Sequence, residues 1–334
     1  MLPINNLSVD LLTPESAVLW LALSVVALLI DLIAGQVISH RLPSLTTFFR
    51  QLAAFIIKKL DRPSRTLSAL RIRGFLAIFL LLPIAAFSGF ILNSLLLVHL
   101  YAPIIALILL LPILGQKRAL LDMMETGILL SEKPKGQRAD PHQKIRGACA
   151  RTILNFSTTL VPITIWWCLG GFLLLLPYLL LSAFLEEAEK RRSGHPESPF
   201  FASISLLYEI TTAPFAILAA VLIALAHFFV PGTNLTVFKA FYPGATFGPV
   251  SRYFPLNIIA VGLGLSLEAE IGEKAGSKKA SDIKIHWIGP ADGRAKFRLT
   301  DLKQIWLVIW VTLMLYLIVA AMIFSVLLLT VGAK

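Results

Sequence analysis

Three polar positions in an otherwise apolar chain are placed where a side chain could do chemistry. Asp31 is the only charged residue in the apolar stretch 17–37. A carboxylate at membrane depth costs roughly 3 kcal/mol on insertion scales, and such groups face a protein interior or a polar cavity rather than lipid. Asp31 therefore predicts a membrane protein with a polar site; the alternative is a carboxylate near the cytoplasmic end of its span that reaches water. Glu209 precedes Thr211, Thr212 and Pro214 at the start of another apolar stretch. Beside a helix irregularity it would suit a cation or a substrate amine; the alternative is a solvated carboxylate at the membrane surface. Asn155, Ser157 and Thr158 form a polar cluster where the fourth apolar stretch begins, either as site residues or as ordinary capping residues.

Other chemistries lack their residues. The six histidines, His40, His99, His142, His195, His227 and His286, show no metal-ligand spacing. The run Gly272, Glu273, Lys274, Ala275, Gly276, Ser277, Lys278 has one residue too few between its glycines for a phosphate loop, and Ser277 intervenes before the lysine. No Gly-x-Ser-x-Gly elbow is present. Cys149 and Cys168 form no Cys-x-x-Cys pair, which predicts neither a disulfide nor a thiolate metal site.

The elements that must position these residues are membrane helices. Hydrophobic residues make up 57% of 334 positions and charged residues 15%, too apolar for a soluble domain of this length. Windows long enough to cross the hydrocarbon core lie at 17–37, 74–92, 98–114, 159–184, 203–229 and 304–331. The expected fold is all-α and polytopic, with about six spans, an interfacial amphipathic helix and a small cytoplasmic lobe. A further run, 255–267, is too short to cross unaided and is either re-entrant, interfacial or buried in protein. A net charge of +11 does not point to nucleic acid, because no folded polar domain carries it.

Charge instead encodes topology. Lys and Arg number 8 over residues 41–73, 8 over 117–151 and 10 over 239–303, against 3 over 190–192 plus Lys334. The positive-inside rule makes the three basic connections cytoplasmic and places both termini opposite. The N-terminus has no basic residue before Ala17 and no small-residue cleavage site, so the first span is expected to be retained.

Between the first two spans, Phe48, Phe49, Leu52, Phe55, Ile56 and Leu60 recur at helical spacing, interleaved with Arg50, Lys58, Lys59 and Arg62, before Pro63. This predicts an amphipathic interfacial helix, serving as a topology anchor or holding anionic head groups or a phosphorylated substrate. Residues 131–142 read as a cytoplasmic loop. The fourth stretch contains Pro162, Gly170, Gly171 and Pro177. Its glycines either pack helices closely or break the span into a re-entrant hairpin, and the charge count favours a single crossing. The chain is thus expected to be one membrane domain, 1–334, with an interfacial helix and loop at 40–73, a cytoplasmic segment at 117–157 and a Gly/Pro-rich lobe at 231–302 bearing the short apolar run.

The order of these features resembles the cobalamin-biosynthesis membrane protein family (CobD/CbiB), over nearly the whole chain. Leu29, Ile30, Asp31 and Gly35 are similar to its Leu-Asp-x-x-x-Gly-Asp signature, Leu42 and Pro43 to the start of Leu-Pro-His-Pro-Val, and residues 60–65 to a Leu-Asn-Arg-Pro-Ser-Arg run. Asn155, Phe156, Ser157, Val161, Trp166, Gly170, Gly171 and Tyr178 follow the family's Glu-Asn-Phe-Ser-Asp pattern and its Gly-Gly and Tyr. Phe254, Pro255, Ala260, Leu263, Gly264 and Leu267, then Trp287, Gly289, Asp301 and Leu302, resemble its closing segments.

The resemblance implies an adenosylcobinamide-phosphate synthase of a bacterial-type inner membrane. Such an enzyme uses ATP and Mg2+ to join a corrinoid carboxylate to aminopropanol or its phosphate. It would make Asp31 and Asn155 catalytic and Trp166, Gly170, Gly171, Tyr178 and Pro255 substrate-binding, with Glu209, or else Glu186 or Glu187, a substitute metal ligand for the carboxylates this chain lacks. The departures remove acidic groups that such chemistry needs. Gln36 and Ser44 replace an acid and a histidine, and Leu154 and Thr158 replace a glutamate and an aspartate. Leu185, Leu207 and Tyr208 stand where further aspartates are expected. A rival reading keeps the scaffold without catalysis, as a membrane sensor or assembly partner comparable to the AmpE-like regulatory proteins. A transporter is less favoured, since neither inverted repeats nor paired broken spans are evident.

Overall fold

A computed structural model of the chain describes residues 14–41, 45–62, 65–98, 101–131, 141–192, 198–241, 249–270 and 285–332. Leu42 to Ser44, Pro63, Ser64, His99, His195, the centre of the 131–142 loop and the run 272–278 lie outside these residues. The protein is an all-α, multi-pass membrane protein. Among the described residues six helical segments are long and apolar enough to cross a bilayer: Val18–Gly35, Leu67–Leu96, Ala102–Ile128, His142–Gly170, Pro199–Ala226 and Leu299–Thr330.

In chain order, α1 (Pro14–Arg41) leads to the short α2 (Leu45–Leu60), and α3 (Leu67–Val98) to α4 (Ala102–Leu114) and α5 (Gln116–Ser131). Helix α6 (Pro141–Leu154) runs through a π-helical turn, Asn155–Leu160, into α7 (Val161–Gly170), and α8 (Phe172–Arg192) follows. Then come α9 (Ala202–Ala226), α10 (Val250–Leu263), the paired antiparallel strands β1 (Leu267–Glu270) and β2 (Ile285–Ile288), and α11 (Leu299–Gly332).

The third span reaches past Leu114, where the sequence ended it. Gly115, with φ 55° and ψ 21°, closes α4 in a left-handed cap, and α5 starts at the next residue. The short run 255–267 is resolved in favour of burial in protein: in α10, Pro255 to Ala260, Gly262 and Leu263 are all buried. Helix α10 lies alongside α9, with Glu209 at its first turn and the His227 ring against Gly262 in its last.

The fourth stretch is not the single crossing favoured by the charge count. Gly171 adopts φ 56° and ψ −137°, which only glycine enters readily, and the chain reverses there. The Tyr178 hydroxyl donates to the Thr158 carbonyl, a residue twenty positions earlier. Uninterrupted helix would hold those residues about 30 Å apart. Helices α7 and α8 are therefore a hairpin, with Trp167 packed edge-on to Phe172 at 4.7 Å. Helix α8 is uncharged over residues 172–185, and its charged end rejoins the basic connections: Glu186 pairs with Arg50 and Glu189 with Arg252. Beyond it, the Ser198 hydroxyl donates to Asp61 at 2.7 Å.

Residues 190–192, counted above on the far side, thus belong to the same end of the bundle as α2. These three basic residues therefore share an end with the eight over residues 41–73. Lys190→Cys is expected to resist a membrane-impermeant maleimide in intact cells, as Arg62→Cys should, and both should react after permeabilisation. Labelling of Lys190→Cys alone in intact cells would restore the single crossing.

Candidate functional site

Asp31 is 1% exposed and points at the α4–α5 break. The first N–H groups of a helix have no partner within it, and they carry the positive end of its dipole. Asp31 Oδ2 accepts from two of them, Gln116 N at 3.0 Å and Lys117 N at 3.2 Å, so α1 supplies the N-terminal cap of α5. The Lys117 ammonium turns back to donate to the Ile33 carbonyl. One turn after Asp31, Gly35 leaves room for the carboxylate, since a Cβ there would lie 2.4 Å from Asp31 Oδ1.

Gln116, fully buried, extends this network to Asn155. Asn155 Nδ2 donates to Gln116 Oε1 at 2.8 Å and approaches the last carbonyl of α4, Leu114 O, at 3.4 Å. Asp31 and Asn155, the two residues proposed for catalysis, are thus joined through a third that sequence reasoning missed. Its signal was a glutamine placed directly after the glycine that ends an apolar run.

Asn155 opens the π-helical turn, and Pro162 explains why the helix widens there. Proline lacks the N–H that would bond to the carbonyl four residues back, and its ring crowds that oxygen. The carbonyl in question is Thr158 O, which takes its hydrogen bond from Tyr178 instead. Tyr178 also stacks on Tyr208, ring centroids 6.0 Å apart. Trp166 is half-buried, edge-on to Phe215 at 5.2 Å. Gly170 and Gly171 form the hairpin turn, and Pro255 is buried within α10.

The hairpin has its own polar clamp. Asn93 of α3, fully buried, donates from Nδ2 to Gly170 O at 2.9 Å and accepts at Oδ1 from Phe172 N at 2.9 Å. One amide therefore satisfies both ends of the α7–α8 break. The sequence window for this span ended at Leu92, one residue short of it.

Glu209 belongs to a separate network. Its Oε1 accepts from Ser251 N at 2.8 Å and its Oε2 from Ser251 Oγ at 2.6 Å, in the first turn of α10. Glu209→Ala should loosen α10 and cost about 2 kcal/mol, with Glu209→Gln costing less than half of that, by thermal unfolding in detergent. A metal ligand would behave otherwise, with alanine and glutamine equally harmful and Mg2+ stabilising only the native chain.

Arranged this way, the carboxylates hold helix ends together. Mg2+ and ATP would require oxygens free to coordinate the ion. Asp31 Oδ2 already takes two N–H groups and both Glu209 oxygens hold Ser251. Among the described residues no group of three His, Cys, Asp or Glu side chains converges. The donor set does not fit a magnesium–nucleotide site. A cleft of about 810 Å³ is lined by residues that include Gly232, Asn234, Gly262, Gly264 and Asp292 and by none of the site residues predicted from sequence. No protein-family model, curated protein or solved structure matches the chain.

Proposed function

We propose that the chain is a non-catalytic regulatory or assembly protein of a bacterial-type inner membrane. Its scaffold is like that of the cobalamin-biosynthesis synthases, and its role is comparable to that of AmpE-like proteins. One observation carries this reading: the groups that a synthase would turn toward metal and substrate are engaged in capping helices. Asp31 caps α5 and Glu209 caps α10, while Asn155 ties the π-helical turn to Gln116. A bundle whose breaks are closed by polar side chains from neighbouring helices is well suited to holding one shape in the membrane. The lost acidic positions at Gln36, Leu154, Thr158, Leu185 and Leu207 support the same reading.

Complementation tests it. Expressed in a strain lacking the synthase, the chain is expected not to restore corrinoid amidation, and no corrinoid should co-purify with the detergent-extracted protein. Restored amidation that is lost equally with Asp31→Asn and Asp31→Ala would establish the synthase instead, because asparagine keeps the capping oxygen and removes only the charge.

A further inference from the structure

The surface at the basic end of the bundle points to a ligand that the reading above leaves unused. Helix α2 buries Phe49, Ala53 and Ile57, one position per turn, as its inward face. A second apolar stripe lies on the opposite, outward side of the helix. Phe48 and Phe55, seven residues apart and so two turns along one line, are 59% and 56% exposed. Lys59 stands one turn further, its ammonium 4.3 Å from the centre of the Phe55 ring. Beyond this stripe the charges are exposed: Lys58, Arg62 and Arg65 have no side-chain partner among the described residues. The one acidic residue in 41–73, Asp61, is occupied by the Ser198 hydroxyl, and Arg50 by Glu186.

The apolar stripe and the cations select the partner together. Soluble acidic protein or nucleic acid would meet the charges but leave Phe48 and Phe55 in water. From the same end, α3 presents exposed Ile72, Phe75 and Phe79 along its outer face, so the cations crown an apolar wall. Aromatic rings at acyl depth under a row of cations at head-group height match an anionic lipid surface. We propose that α2, with Arg62 and Arg65 beyond its end, forms a docking surface for anionic phospholipid, with Phe48 and Phe55 among the acyl chains and Lys58, Lys59, Arg62 and Arg65 around the phosphates. Helix α2 also carries the Arg50 link to α8, so lipid held there bears directly on the hairpin.

Native mass spectrometry of the full chain in detergent tests this, by titration with phosphatidylglycerol or phosphatidylcholine of identical acyl chains. The native protein should bind phosphatidylglycerol more tightly. The triple variant K58Q/K59Q/R62Q should lose that preference by about tenfold to a hundredfold. Phe48→Ser with Phe55→Ser should weaken both lipids alike and leave their ratio unchanged. In the native chain the preference should also shrink as salt is raised, a readout that needs no variant to fold. Equal binding of the two lipids, a triple variant with its preference intact, or a salt-insensitive preference would overturn the proposal. So would displacement of phosphatidylglycerol by poly-glutamate that is indifferent to the two Phe→Ser changes, which would assign the surface to an acidic protein.

Discussion

Asp31→Ala is expected to destabilise the detergent-extracted protein by about 3 kcal/mol, and Asp31→Asn by about 1 kcal/mol, measured by unfolding in mixed micelles. Alanine removes the acceptor for Gln116 N and Lys117 N, two donors at a break where the preceding helix has already ended. A buried N–H without a partner costs about 1–3 kcal/mol, and water cannot readily replace the carboxylate inside the bundle. Asparagine keeps an oxygen in place and loses only the charge that favours the helix N-terminus and the nearby Lys117. The order of the two variants therefore separates a cap from a catalyst. Native stability in Asp31→Ala would mean that α5 is held by other contacts and that the carboxylate has some different task. A network readout accompanies the test, because Gln116 and Asn155 are connected to the same break. Combined with Asn155→Ala, Asp31→Ala should show non-additive losses.

Gly171→Ala is expected to cost about 4 kcal/mol, from two sources that can be told apart. The backbone there, at φ 56° and ψ −137°, is one that L side chains adopt only under strain of about 1–3 kcal/mol. The added Cβ would also lie 2.7 Å and 2.9 Å from the amide atoms of Asn93, pushing that clamp off Gly170 O and Phe172 N. Asn93→Ala alone should cost about 2–3 kcal/mol by leaving those two backbone groups unpaired. The double variant should then lose less than the two single losses together, because an alanine at position 93 removes the clash that the alanine at 171 creates. Strict additivity would show that Asn93 does not close the hairpin. Loss of the Tyr178–Thr158 contact should accompany both single variants, detectable as faster proteolysis within residues 172–192.

The sequence by itself determined the solvent, the class and the approximate number of crossings. Runs of apolar residues about twenty long can satisfy their backbone in lipid only as helices, and this constraint is local, so composition alone reveals it. It also singled out Asp31, because an isolated charge in such a run has few explanations. The amphipathic α2 was legible for the same reason, since one helix carries its own periodicity.

Tertiary structure alone decided what the polar residues do. Nothing near Asp31 in the chain indicates that its partners stand at 116 and 117, and nothing near Gly171 names Asn93 as the residue that permits a reversal there. The charge count favoured a single crossing because a reversal at Gly171 would carry the ten basic residues over 239–303 to the far side. It was blind to the pairs from Glu186 to Arg50 and from Glu189 to Arg252, which fix the end of α8. Helix breaks in a membrane must be closed by groups brought from other helices, and that requirement is met only when the helices pack. The types of the residues were visible from the outset, and which helix ends Asp31 and Glu209 meet was decided by the fold.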